Sequence, residues 1–85
     1  MSVLDMLYFK IKSNLGSKVS DEAVIRIVDE CAYRTQMLGM AIDGLLEENV
    51  RVFLNDETGE VDIRQDVLFG IFWSFDSNSG DLVGT

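Results

Sequence analysis

The chain has no histidine and a single cysteine, Cys31. Without histidine, the ordinary general base of serine or cysteine nucleophilic catalysis is missing. With one cysteine no disulfide closes within the chain, and zinc or another nitrogen- or sulfur-ligated metal lacks donors. Basic residues are scarce too. Seven Lys and Arg stand against 15 Asp and Glu, for a formal net charge of -8. Residues 1–48 hold five basic against eight acidic residues, and 49–85 hold Arg51 and Arg64 against seven, so the acidity is no detachable tail. A phosphate-binding surface needs a Lys/Arg footprint, which argues against nucleic acid as a direct ligand. No apolar run reaches the ~18 residues of a membrane helix, and Met1–Asp5 carries no basic leader region. With the lone thiol, this points away from the membrane and to a reducing compartment: the cytoplasm of a bacterium or a virus-infected cell.

What is present reads as one folded domain. Of 85 residues, 47 % are hydrophobic and 26 % charged, so the composition is not that of a disordered chain. A domain this small buries only roughly 60 % of its unfolded surface, and its core supplies about 3–5 kcal/mol. With disulfide and metal removed, oligomerisation is the expected reinforcement.

Before Asn49 the apolar spacing is helical. Leu4, Leu7, Tyr8, Ile11 and Leu15 form a stripe over a helix 3–15, with Ser2 and Asp5 as a capping box and Gly16 as its stop. A second helix starts after Ser20, a good N-cap, with Asp21 and Glu22 in its first turn and Val19 and Val24 spaced as a hydrophobic staple. Its pattern continues to Glu48, giving a long helix over 20–48. Val24, Val28, Cys31, Thr35, Leu38, Ile42 and Leu45 alternate by four and three like coiled-coil positions. Gly39 and Gly44 are costly inside a helix unless another backbone approaches closely or the helix kinks there. The stripe packs either on the chain's own helix and sheet or on a second protomer. In the second case Val28, Thr35, Leu38, Gly39 and Ile42 form the oligomer interface.

After Asn49 the pattern is extended, and 50–85 reads as an antiparallel meander of three or four strands. Leu54–Val61 and Phe75–Leu82 echo each other: apolar, Asn/Asp, two polar residues, Ser/Thr, Gly, acid, apolar. Glycine there supplies a positive φ, so both are hairpin turns. Pairing Asn55 with Glu60 sets Leu54 opposite Val61 and Val52 opposite Ile63, with all four on one face. Val67–Phe75 is apolar on both faces. Its spacing also fits a helix, but aromatic content and Gly70 favour a strand. Leu82–Val83 is a short last strand. The fold class is therefore α+β: two helices followed by the meander, helices on one sheet face.

Little here carries chemistry. Cys31 sits mid-helix on the apolar stripe, whereas a reactive thiol wants a helix N-terminus or a cationic neighbour. The acids of the second helix do not converge. Asp76–Asp81 resembles the start of a calcium loop, but its glycine is fifth rather than sixth, so a turn is expected and no metal or cofactor. The apolar surplus is more telling. If both faces of the aromatic strand are apolar, one needs a partner, with Trp73 as its anchor.

We therefore expect a small acidic, non-enzymatic protein-binding module, homo-oligomeric, acting as inhibitor, decoy or escort of a basic protein surface, of the kind phages and mobile elements encode. A charge of -8 on so small a chain speeds encounter with a positive patch. Asp56, Glu57, Glu60, Asp62 and Trp73 are the expected partner-binding residues. The alternative is a module binding an anionic small molecule at an oligomer interface, through Tyr8, Tyr33, Arg26 and Arg34.

Overall fold

The structure is a computed structural model, and it describes residues 1–67 and 70–83. Two helices, α1 (Val3–Leu15) and α2 (Asp21–Met37), precede four strands: β1 (Arg51–Asn55), β2 (Glu60–Gln65), β3 (Ile71–Asp76) and β4 (Leu82–Val83). Short 3-10 turns at Gly16–Lys18 and Ile42–Leu46 make the connections. The strands form one antiparallel sheet in the order β1-β2-β3-β4, so the α+β arrangement with an antiparallel meander is as expected.

The helix starts follow from their caps. The Ser2 hydroxyl accepts from the Asp5 backbone N–H, and the Ser2 N–H donates to the Asp5 carboxylate, a complete capping box. The Ser20 hydroxyl accepts from the Ala23 N–H at 3.1 Å. Lys12 ties the two helices together. Its Nζ donates to the Val19 carbonyl at 2.9 Å and meets the Asp21 carboxylate at 2.8 Å.

The second helix is shorter than its apolar pattern. It ends at Met37, not near Glu48, and the reason is Gly39. Gly39 takes φ 70° just past the helix, its N–H donates to the Gln36 carbonyl, and the Met40 N–H donates to the Thr35 carbonyl. These bonds satisfy the carbonyls that a continuing helix would have used, so glycine closes the helix instead of lining a helix seam. The chain then folds back through Ile42–Leu46. Lys10 anchors that return by donating to the carbonyls of Leu45 (3.0 Å) and Glu47 (2.7 Å). Desolvation lowers its pKa below the ordinary lysine value.

One core results. Leu7, Ile11 and Leu15 of α1 meet Val24, Ile27, Val28 and Cys31 of α2 and the inward side of the sheet: Val52, Val61, Ile63, Ile71, Trp73 and Phe75. Burial of each large aliphatic side chain contributes roughly 1.5–3 kcal/mol. Val28 and Thr35 are thus buried within the protomer, and Ile42 packs against the same core. Leu38 remains 60 % exposed.

The β1–β2 register is the one burial selects: Asn55 opposite Glu60, Leu54 opposite Val61, Val52 opposite Ile63. Both echoing turns use glycine at positive φ, 72° at Gly59 and 79° at Gly80. They lie side by side, with the Ser77 N–H donating to the Gly59 carbonyl. The third strand starts at Ile71 rather than Val67, which lies in a turn, while Leu68 and Phe69 fall outside the described residues. Within β3, side chains alternate: Ile71, Trp73 and Phe75 point inward and are buried, and Phe72, Ser74 and Asp76 point outward. The strand is therefore apolar on one face with Phe72 as the outward exception.

Candidate functional site

Helix spacing builds a groove between α1 and α2. Leu4 and Tyr8 lie one turn apart on α1, and Ile25, Val28 and Asp29 lie on the facing side of α2. With Asp5 they line a depression of about 290 Å³. Leu4 and Ile25 are 45 % and 51 % exposed, which is a large fraction for side chains lining an apolar groove. The charged side chains in the lining are Asp5 and Asp29, both carboxylates. Asp5 is held by the capping box, whereas Asp29 forms no salt bridge among the described residues. Near Tyr8 lies the Lys12–Asp21 pair. Partial burial, and then the charge of Asp21, hold the Tyr8 phenol above its ordinary pKa. Hydrogen bonding and attraction from Lys12 hold the Asp21 carboxyl below its own.

A second depression, at the end of α2, is lined by Tyr33, Arg34, Met37, Leu38 and Trp73. Four of these are expected site residues that the fold does bring together. Trp73 itself is only 8 % exposed and faces the helices, so it forms the floor of the depression and not a projecting anchor. The proposed anion-binding set does not assemble. Tyr8 lines the helix groove, and Arg26 lies in a third hollow beside Gly80 and Asp81. Both arginines are already engaged with carboxylates, Arg26 with Asp81 at 2.6 Å and Arg34 with Glu30 at 3.3 Å.

The acidic set at the first hairpin separates as well. Asp56 and Glu57 are exposed in the turn, and Glu60 is half-buried at the start of β2. Asp62 is 2 % exposed and is no surface acid. It sits on the outward face of β2, where it accepts from the Ser74 hydroxyl at 2.8 Å and from the Arg64 guanidinium at 3.1 Å. Neighbours on both flanking strands cover it, which alternation along one strand does not reveal. Arg64 in turn is stacked between two rings, 4.0 Å from the centre of Phe72 and 5.6 Å from that of Phe53.

Cys31 is fully buried, and burial pushes its thiol pKa far above the ordinary value, opposite to what a nucleophile needs. The Asp76 carboxylate accepts from the backbone N–H groups of Ser79 and Asn78, which holds its pKa low and closes the turn. Among the described residues, no group of three or more Cys, Asp or Glu side chains converges on a metal-sized site. No helix among them is long and apolar enough to cross a membrane.

Ile25 and Phe72 are among the exposed apolar side chains, at 51 % and 61 %; the apolar run Val67–Phe75 points to the second, and helix periodicity does not mark the first. Ile25 lies off the main stripe of its helix, and Leu4 lies on the stripe but at its edge. The available signal was the apolar surplus of α1, whose Met6 and Phe9 are also exposed, at 45 % and 54 %. No protein-family model matches the chain, and no curated protein or solved structure matches it.

Proposed function

We propose that this chain is a non-enzymatic protein-binding module that captures a basic amphipathic segment of a partner in the groove between α1 and α2, and so inhibits or escorts the partner's basic surface. One observation carries the reading: the groove has an apolar floor, its charged lining is carboxylate alone, and it belongs to a chain of net charge -8. A helix presenting leucines to Leu4, Tyr8, Ile25 and Val28 would bury them, and lysines or arginines along its flanks would reach Asp5 and Asp29. The acids of the hairpin turn, Asp56, Glu57 and Glu60, add to the field that draws the segment in. The floor supplies affinity and the rim supplies encounter rate and rejection of acidic competitors.

The test is a fluorescence-anisotropy titration with a synthetic helix carrying leucines on one face and lysines on the other. Saturable binding that weakens with salt is expected, with a loss of about tenfold or more when Ile25→Asp places a desolvated charge in the floor. Asp29→Lys should reduce the association rate, and a leucine–glutamate helix should not bind. Equal capture of the acidic and basic helices, or capture indifferent to Ile25→Asp, would refute the reading.

A further inference from the structure

The helices cover one face of the sheet, and the other face is organised into three cross-strand rows. Nearest the β2–β3 end lie Arg51, Arg64 and Phe72; in the middle lie Phe53, Asp62, Ser74 and Val83; nearest the two glycine turns lie Asn55, Glu60 and Asp76. Phe72 is 61 % and Val83 37 % exposed on this face. Charge is graded along the strands. The first row holds both cations of residues 49–85, and the third holds two carboxylates. The middle carboxylate, Asp62, is buried and neutralised by Arg64.

We infer that this face takes a second copy of the same chain, packed sheet on sheet with strands antiparallel across the interface. Symmetry and charge choose the arrangement. A two-fold axis parallel to the strands lays the first row on itself and sets arginine against arginine. A two-fold axis in the interface and perpendicular to the strands lays the first row on the third instead. Arg64 then faces Glu60 of the second copy, Arg51 faces Asn55 with Glu60 one strand away, and Phe53 and Val83 meet their own counterparts at the axis. Of the two orientations only this one sets arginine against carboxylate; it also lays Phe72 across from Asp76 of the second copy, a carboxylate already engaged by the Asn78 and Ser79 N–H groups of its own turn. The contact supplies cover for Phe72 and Val83, which the protomer's own helices do not reach. Arg51 and Asp66 form a pair whose side chains are 60 % and 67 % exposed, so that arginine exchanges partners at little cost. At physiological ionic strength the Debye length of about 8 Å screens the repulsion between two acidic chains while leaving contact pairs intact.

Sedimentation equilibrium of the full chain over the micromolar range tests this. A monomer–dimer equilibrium is expected. Glu60→Arg, which sets arginine against Arg64 of the second copy, should weaken it by about tenfold or more, and Phe72→Ser should weaken it too. Ile25→Asp, on the helical side, should leave it unchanged, which separates this surface from the groove. Val83→Cys should be joined to itself by a short bis-maleimide linker, whereas Ile25→Cys should not, and the buried Cys31 should stay silent in both. A strict monomer, or a dimer indifferent to both Glu60→Arg and Phe72→Ser, overturns the inference.

Discussion

Gly59 and Gly80 occupy the same place in the two echoing turns but not the same surroundings, and this makes a quantitative comparison possible. Gly59 is exposed, and a Cβ added to it would meet nothing within 4 Å. Gly80 is buried, and a Cβ there would lie within 3 Å of both the Ala23 carbonyl oxygen and Arg26 Cβ in α2. The positive φ costs an L residue roughly 1–2 kcal/mol at either site, and the stiffer unfolded chain offsets roughly 0.4–1 kcal/mol of it. Gly59→Ala should therefore destabilise by about 1 kcal/mol. Gly80→Ala carries the same term plus the overpacking of a turn against a helix backbone that cannot rotate away, roughly 1–3 kcal/mol more. Each kcal/mol corresponds to roughly 4–8 °C in Tm for a domain of this size. Urea unfolding of the two variants, followed by the fluorescence of Trp73, the sole tryptophan, measures the difference directly. Equal destabilisation would mean that the second hairpin does not rest on α2, and the docking of turn on helix would have to be abandoned.

Further outcomes follow from the same contacts. Asp62→Ala strands the Arg64 guanidinium and the Ser74 hydroxyl and should cost about 3 kcal/mol, whereas Asp56→Ala and Glu57→Ala should be nearly neutral in the same urea titration. The Asp21 and Asp76 pKa values are lowered by folding. Their contribution is thus full above the ordinary carboxylate value of 3.8 and is lost as pH falls through the folded values. Asp21→Asn with Asp76→Asn should flatten the acid limb of a plot of stability against pH, and an unchanged limb would exclude these two groups as its source. Cys31 should be silent to a thiol reagent in the native chain and react at once in urea. Reaction in buffer at the rate of an exposed thiol would contradict its placement in the core.

The elements that short-range chemistry specifies were legible in the chain. Ser2 with Asp5, and Ser20 with its two acids, mark helix starts because a side-chain oxygen must satisfy an orphan N–H three residues on. Gly59 and Gly80 mark turns because both stand where the backbone needs a positive φ. Val52, Leu54, Val61 and Ile63 select the β1–β2 register because a slip of one residue would break the pairing that puts all four on the core face. Other features depended on what lies far away in sequence. Gly39 reads equally as a helix contact or a helix stop until Met40 is seen returning to the Thr35 carbonyl and Lys10 is seen holding the segment beyond. Asp62 looks like one acid among many; Arg64 stands two residues away on its own strand, and only the neighbouring strands supply the Ser74 hydroxyl and the Asn55 amide that complete its burial. The groove between the helices has the same origin. Leu4 and Ile25 lie 21 positions apart in sequence, and only the packing of α1 on α2 brings them to one opening. Sequence by itself determined local conformation and the pattern of burial, since caps, φ preferences and alternation act within a few residues. Tertiary structure alone decided which charges are buried, where the second helix ends and which apolar side chains remain outside, because each depends on partners that the chain reaches only by folding.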